Sequence, residues 1–71
     1  MREDLIEVIA DFLETDKSFI EEDTCLRHEY NLSEEDYINL SDEIDEKIGV
    51  YIDPNTIEEA NTVSHLFEFL H

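Results

Sequence analysis

A chain of 71 residues allows one small domain whose core supplies only marginal stability, which leaves few architectures open. Its 21 acidic residues face four basic ones, a formal net charge of -17, so nucleic acid and anionic membrane surfaces are excluded as expected partners and basic protein surfaces are favoured. Low hydropathy with high net charge also marks disordered chains, but 41% apolar residues at regular helical spacing predict a folded one.

Four helices are predicted along the chain, and no segment has sustained strand alternation, so the expected class is all-α. From about Arg2 to Leu13, Leu5, Ile9, Phe12 and Leu13 form one apolar stripe with Ile6 and Val8 at its edges, and Glu3, Asp4, Glu7 and Asp11 lie outside it. Thr15 to Leu32 reads as a long, mostly irregular connection. In it Ser18 with Glu21 is expected to cap a short turn, and Ile20, Leu26 and Tyr30 are spaced as anchors.

The second helix is expected from about Glu34 to Ile48, with Tyr37, Leu40, Ser41, Ile44 and Ile48 on its inner face. Ser33 followed by Glu34, Glu35 and Asp36 is an N-cap with three acids in the first turn, and Ser33 with Asp36 approximates a capping box. Gly49 suits the left-handed position that closes this helix. Asp53 and Pro54 begin a short third helix reaching about Ala60. Thr62 is the expected cap of a last helix whose apolar face is Val63, Leu66, Phe67 and Leu70.

The familiar chemical sites are missing from the sequence. His28, His65 and His71 never place two metal ligands on one helix face and read as surface residues, and Cys25 has no partner for a disulfide or a paired-cysteine site. The acids of SEED and DEIDEK do not fit a calcium loop, which needs alternating oxygen ligands, a central glycine and a terminal glutamate. There is no nucleophile elbow, no phosphate-cradling glycine loop and no dinucleotide fingerprint. The opening MREDLIEV puts acids where a secretion signal carries bases, and no apolar run has membrane-spanning length. The expectation is a single-domain cytoplasmic monomer over residues 1–71 that is not an enzyme and holds neither metal nor cofactor.

The segment LRHEYNLSEEDYINL, Leu26 to Leu40, has the layout of a carrier-protein attachment loop. Leu26, Tyr30, Leu32, Asp36, Ile38 and Leu40 fall into that register. Ile44, Ile48, Ile52, Thr62 and Val63 continue it downstream, and Leu5, Val8, Ile9, Leu13 and Ile20 precede it. From about Leu5 to Leu70 the chain thereby resembles acyl carrier proteins. The resemblance implies a four-helix bundle of three longer helices plus one short helix, with a long loop between the first and second.

At the attachment point the sequence departs from that family. Glu34 stands where the resemblance places the phosphopantetheine-bearing serine, Ser33 stands for the preceding aspartate, Glu35 for the following leucine and Asn31 for a glycine. A phosphodiester link needs a hydroxyl nucleophile, which glutamate lacks. Ser33 offers one, but a one-residue step along a helix turns it by about 100°. The resemblance also implies a docking surface on the second helix, here Glu34, Glu35, Asp36, Ile38, Asp42, Asp45 and Glu46, with Asn39 and Asp42 departing from the family's pattern. Ser41 falls on the wall that usually shelters the acyl chain; its hydroxyl is expected to bond back to the carbonyl of Tyr37.

The leading expectation is therefore an acyl-carrier-protein-like module that has lost its attachment serine and acts as an acidic docking adaptor or regulator for a protein with a basic patch. One alternative is a divergent acyl or peptidyl carrier with 4'-phosphopantetheine on Ser33. Another is an acidic nucleic-acid mimic that inhibits a DNA- or RNA-binding protein.

Overall fold

The apolar spacing of the first segment becomes helix α1 (Arg2–Phe12) in the computed structural model of the chain, which describes residues 1–70. Leu5, Val8, Ile9 and Ala10 are buried, whereas Ile6, Phe12 and Leu13 are half-buried. Phe12 and Leu13 still pack against the core but only part-buried, because the chain leaves the helix after Phe12. The Glu14 N–H donates to the carbonyl of Asp11 at 3.1 Å and the Thr15 N–H to that of Ala10 at 3.0 Å. This pair of bonds is a Schellman closure, and it forces Glu14 into the left-handed region at φ 57°, a place where glycine is the usual residue.

The connection that follows contains more regular structure than its sequence suggests. A 3-10 turn, Lys17–Phe19, is capped by Asp16, whose carboxylate accepts from the Ser18 N–H at 2.9 Å. The bonds from Ser18 hold the Asp16 carboxyl below the usual range. The expected Ser18–Glu21 cap does not form. A carboxylate two residues upstream engages Ser18 first, and the Glu21 N–H donates instead to the Thr24 hydroxyl at 2.8 Å. Helix α2 (Leu26–Glu29) adds one turn that the anchor pattern did not reveal, and it starts at the half-buried Cys25. Ile20 and Leu26 are buried and Tyr30 is half-buried, as anchors should be.

Helix α3 (Glu34–Ile48) is the longest element and carries the expected inner face: Tyr37, Leu40, Ser41 and Ile44 are buried and Ile48 is half-buried. Gly49 closes it at φ 82° with its N–H on the carbonyl of Asp45 at 2.9 Å. Helix α4 (Pro54–Glu59) begins behind Asp53, whose carboxylate accepts from the Asn55 N–H at 2.8 Å, and proline sits in the first turn where its missing donor costs nothing. Helix α5 (Val63–Leu66) runs into a 3-10 turn, Phe67–Phe69, which keeps Val63, Leu66 and Phe67 buried.

Thr62 does not cap α5 as its residue type predicts. The N–H groups of Val63 and Ser64 are already satisfied by the carbonyls of Thr24 and Glu22, each at 2.9 Å, and the Thr62 hydroxyl pairs with that of Ser64 at 2.8 Å. Backbone from the long connection therefore does the work expected of a local side chain. The same bonds pin the connection across the head of the last helix.

Among the described residues there are five α-helices and no strand; α1, α3 and α5 with its 3-10 extension are the helical stretches of seven residues or more. α3 packs against both α1 and α4, and one apolar cluster joins Leu5 and Ile9 to Leu40, Ile44, Ile52, Ile57, Val63 and Leu66. Fully burying each such aliphatic side chain contributes about 1.5–3 kcal/mol, set against the conformational entropy lost on ordering the chain. No helix among the described residues is long and apolar enough to cross a membrane.

The Ser41 hydroxyl does not turn back to Tyr37. It donates to the carbonyl of Ile52, on the segment entering α4. A buried hydroxyl seeks whichever acceptor is unpaired, and α3 already uses its own carbonyls in the helical ladder.

Candidate functional site on the exposed face of α3

Ser33 adopts an extended conformation at φ -82° and ψ 168°, which directs its side chain over the first turn of α3. The Asp36 N–H donates to Ser33 Oγ at 3.1 Å, and the Ser33 N–H donates to Asp36 Oδ2 at 2.9 Å. Both halves of the capping box read from the sequence are thus present. Glu34, Glu35 and Asp36 occupy the first turn, where the positive end of the helix dipole favours them.

At about 100° per residue, Glu34, Glu35, Ile38, Asp42, Asp45 and Glu46 fall within an arc of about 120° on α3. All six are exposed, and Ile38, at 45% exposure, is the large apolar side chain among them. Asp36 is the one predicted docking residue that the helix does not bring to this arc. It lies on the far flank, half-buried, with its carboxylate held by the Ser33 N–H.

Lys47, the single base of α3, also projects away from the arc and pairs with Glu43 at 3.7 Å. With both side chains well exposed, that i,i+4 pair contributes only about 0.3–0.5 kcal/mol. Its effect on the site is geometric: the cation stands by Glu43 and leaves the arc uniformly acidic, with Asn39 at its rim.

Beside the arc, between α3 and α4, lies a cleft of about 250 Å³ lined by Glu34, Tyr37, Ile38, Asp53, Pro54, Asn55 and Glu58. Helical spacing predicts Tyr37 in the core and Asp53 as a helix cap, and nothing in the apolar spacing marks Glu58. The proline start of α4 and the one-turn interval from Pro54 to Glu58 were the only local signals. The Tyr37 ring is 3% exposed. Burial pushes its hydroxyl pKa upward, Glu58 adds to the rise, and the charge of Arg27 partly opposes it.

His28 and His65 are exposed as expected, and His71 lies outside the described residues. The His65 ring nitrogen approaches the Glu68 carboxylate at 3.5 Å on an open surface. Among the described residues no group of three His, Cys, Asp or Glu side chains could hold a metal ion.

A scan against protein-family models gives no match, and no curated protein or solved structure matches the chain.

Proposed function

We propose that the chain is an acyl-carrier-protein-like four-helix module that has lost its attachment serine and works as an acidic docking adaptor or regulator, binding a basic patch on another protein without catalysing a reaction itself. The observation that carries this reading is the uninterrupted arc of Glu34, Glu35, Asp42, Asp45 and Glu46 around the exposed Ile38. Carboxylates at that density steer a basic partner and speed encounter, while an apolar side chain between them supplies short-range fit.

Support for the carrier-like part comes from the order of elements. A first helix is followed by a long crossing connection, a longer helix headed by SEED, a proline-started short helix and a last helical stretch, in the register that the sequence shares with carriers. Support for the loss of the carried arm comes from the capping box. Glu34 has no hydroxyl, and Ser33 uses its oxygen as the acceptor for the Asp36 N–H. Esterification with phosphopantetheine would convert that oxygen into a weaker acceptor and add a phosphate beside three carboxylates. The residues at the head of α3 therefore do not fit 4'-phosphopantetheine.

Intact mass decides the matter. The protein is purified from its own host and measured again after incubation with coenzyme A and a broad-specificity phosphopantetheinyl transferase. The expected result is an unmodified mass in both samples, whereas one added phosphopantetheinyl group mapped to Ser33 would return the chain to the carriers.

A further inference from the structure

We propose, building on the docking function, that the cleft between α3 and α4 is an anchor pocket for one cationic side chain, lysine or arginine, of a basic protein partner. Its walls have two kinds of surface. Tyr37, Ile38 and Pro54 are apolar and suit an aliphatic stem, while Glu34, Asp53 and Glu58 are carboxylates suited to the charged head. Asp53 uses one oxygen on the Asn55 N–H and keeps the other.

Tyr37 supplies an independent reason to expect an occupant. Its ring is almost wholly buried, yet none of the side-chain hydrogen bonds among the described residues involves its hydroxyl. No buried side-chain polar atom lacks a partner among them, so this hydroxyl is not sealed from solvent, and Tyr37 is one of the residues that line the cleft. Its oxygen is available to accept from an incoming N–H.

The chain does not supply the cation itself. Arg2 lies over the Phe67 ring at 5.1 Å, Arg27 donates to Asn61 at 3.0 Å and Lys47 stands by Glu43, and none of the four bases lines this cleft. A second copy would bring another -17 of charge to a face already acidic. An acyl chain would match the apolar wall but leave the three carboxylates without a partner. A positively charged side chain from a different protein is the occupant that satisfies both walls.

The test is an amide chemical-shift titration of the intact protein at low ionic strength with the blocked peptide acetyl-Ala-Ala-Arg-Ala-Ala-amide, with a norleucine version as control. Saturable shifts are expected at Ile38, Asn55 and Glu58 with the arginine peptide alone, and Glu58→Gln should weaken them roughly two- to fivefold. Shifts scattered over all acidic faces, or an equal loss in Glu3→Gln, would overturn the anchor. Glu58 is exposed, and the dispersion of the same spectra reports whether the variant keeps its fold.

A lysine-rich decapeptide separates this proposal from the docking function on which it rests. Weakening by Asp42→Asn with Glu46→Gln but not by Glu58→Gln keeps docking and removes the anchor. Equal weakening by Glu3→Gln with Glu7→Gln removes docking as well. Weakening by both the arc and cleft variants, with the α1 variants unaffected, supports both.

Discussion

The buried Ser41 hydroxyl donates to the carbonyl oxygen of Ile52 and so ties the middle of α3 to the segment that enters α4. Replacing Ser41 with alanine leaves that carbonyl without its donor and should destabilise the fold by about 1–3 kcal/mol. Urea unfolding of the variant reads this directly. A loss below a few tenths of a kcal/mol would mean that water or a backbone shift satisfies the carbonyl instead.

Glu14 occupies the left-handed position of the Schellman closure after α1, at φ 57°. Glycine adopts this conformation without the Cβ clash that costs other residues about 1–2 kcal/mol, and the change also removes one negative charge. Glu14→Gly should therefore raise the unfolding midpoint, by a net stability gain of about 1 kcal/mol after the greater chain entropy of glycine is counted. A lower midpoint would contradict the assignment of strain to this residue.

Ser33 and Asp36 act on each other's backbone, so their contributions should be coupled. Ser33→Ala is expected to cost about 0.5–2 kcal/mol, and adding Asp36→Ala should cost less than the sum of the two single changes. A double-mutant cycle on thermal or urea unfolding measures the coupling. Strict additivity would show that the capping box contributes no joint stabilisation in solution.

Charge reversal across the exposed arc should weaken the basic partner far more than the same reversal on α1. Lysine at Asp42, Asp45 and Glu46 is predicted to slow association and flatten its salt dependence, whereas lysine at Glu3, Asp4 and Glu7 should change both only slightly. Stopped-flow association at several ionic strengths is the measurement. Equal effects from the two sets would reduce recognition to net charge. Displacement of the chain from its partner by duplex or single-stranded nucleic acid would instead point to mimicry.

Tyr37 should ionise above the ordinary tyrosine value, because burial and then Glu58 raise its pKa. The neutral form is favoured in the folded state, so this stabilisation is complete below the unfolded pKa of about 10 and is lost as pH rises through the folded value. Absorbance titration should show a late-ionising tyrosine that disappears in Tyr37→Phe. The variant should also lose less stability than the parent between neutral and strongly alkaline pH.

Local chemistry made much of the fold legible. The Ser33–Asp36 box, the Gly49 closure, the Asp53–Pro54 start and the inner face from Tyr37 to Ile44 all depend on residues within a turn or two of one another. Their interactions are written in short-range spacing. The misread positions have another cause: Thr62 and Ser41 each had a reasonable local partner, and each lost it to a group brought in from elsewhere in the chain. Ser18 was misread within local range, where Asp16 outcompeted Glu21.

The candidate site divides in the same way. Sequence by itself determined an all-helical chain with acids on its longest helix, because helical period and charge are properties of the chain order. The same helical period leaves Asp36 and Lys47 outside the acidic arc, whereas only the tertiary structure decided that the arc is the face of α3 left exposed. It also set Glu58 across a cleft from Ile38 and Tyr37. Those relations depend on how α3 rotates against α1 and meets α4, which is fixed by burial of the shared apolar cluster and by the Ser41–Ile52 bond rather than by any segment alone.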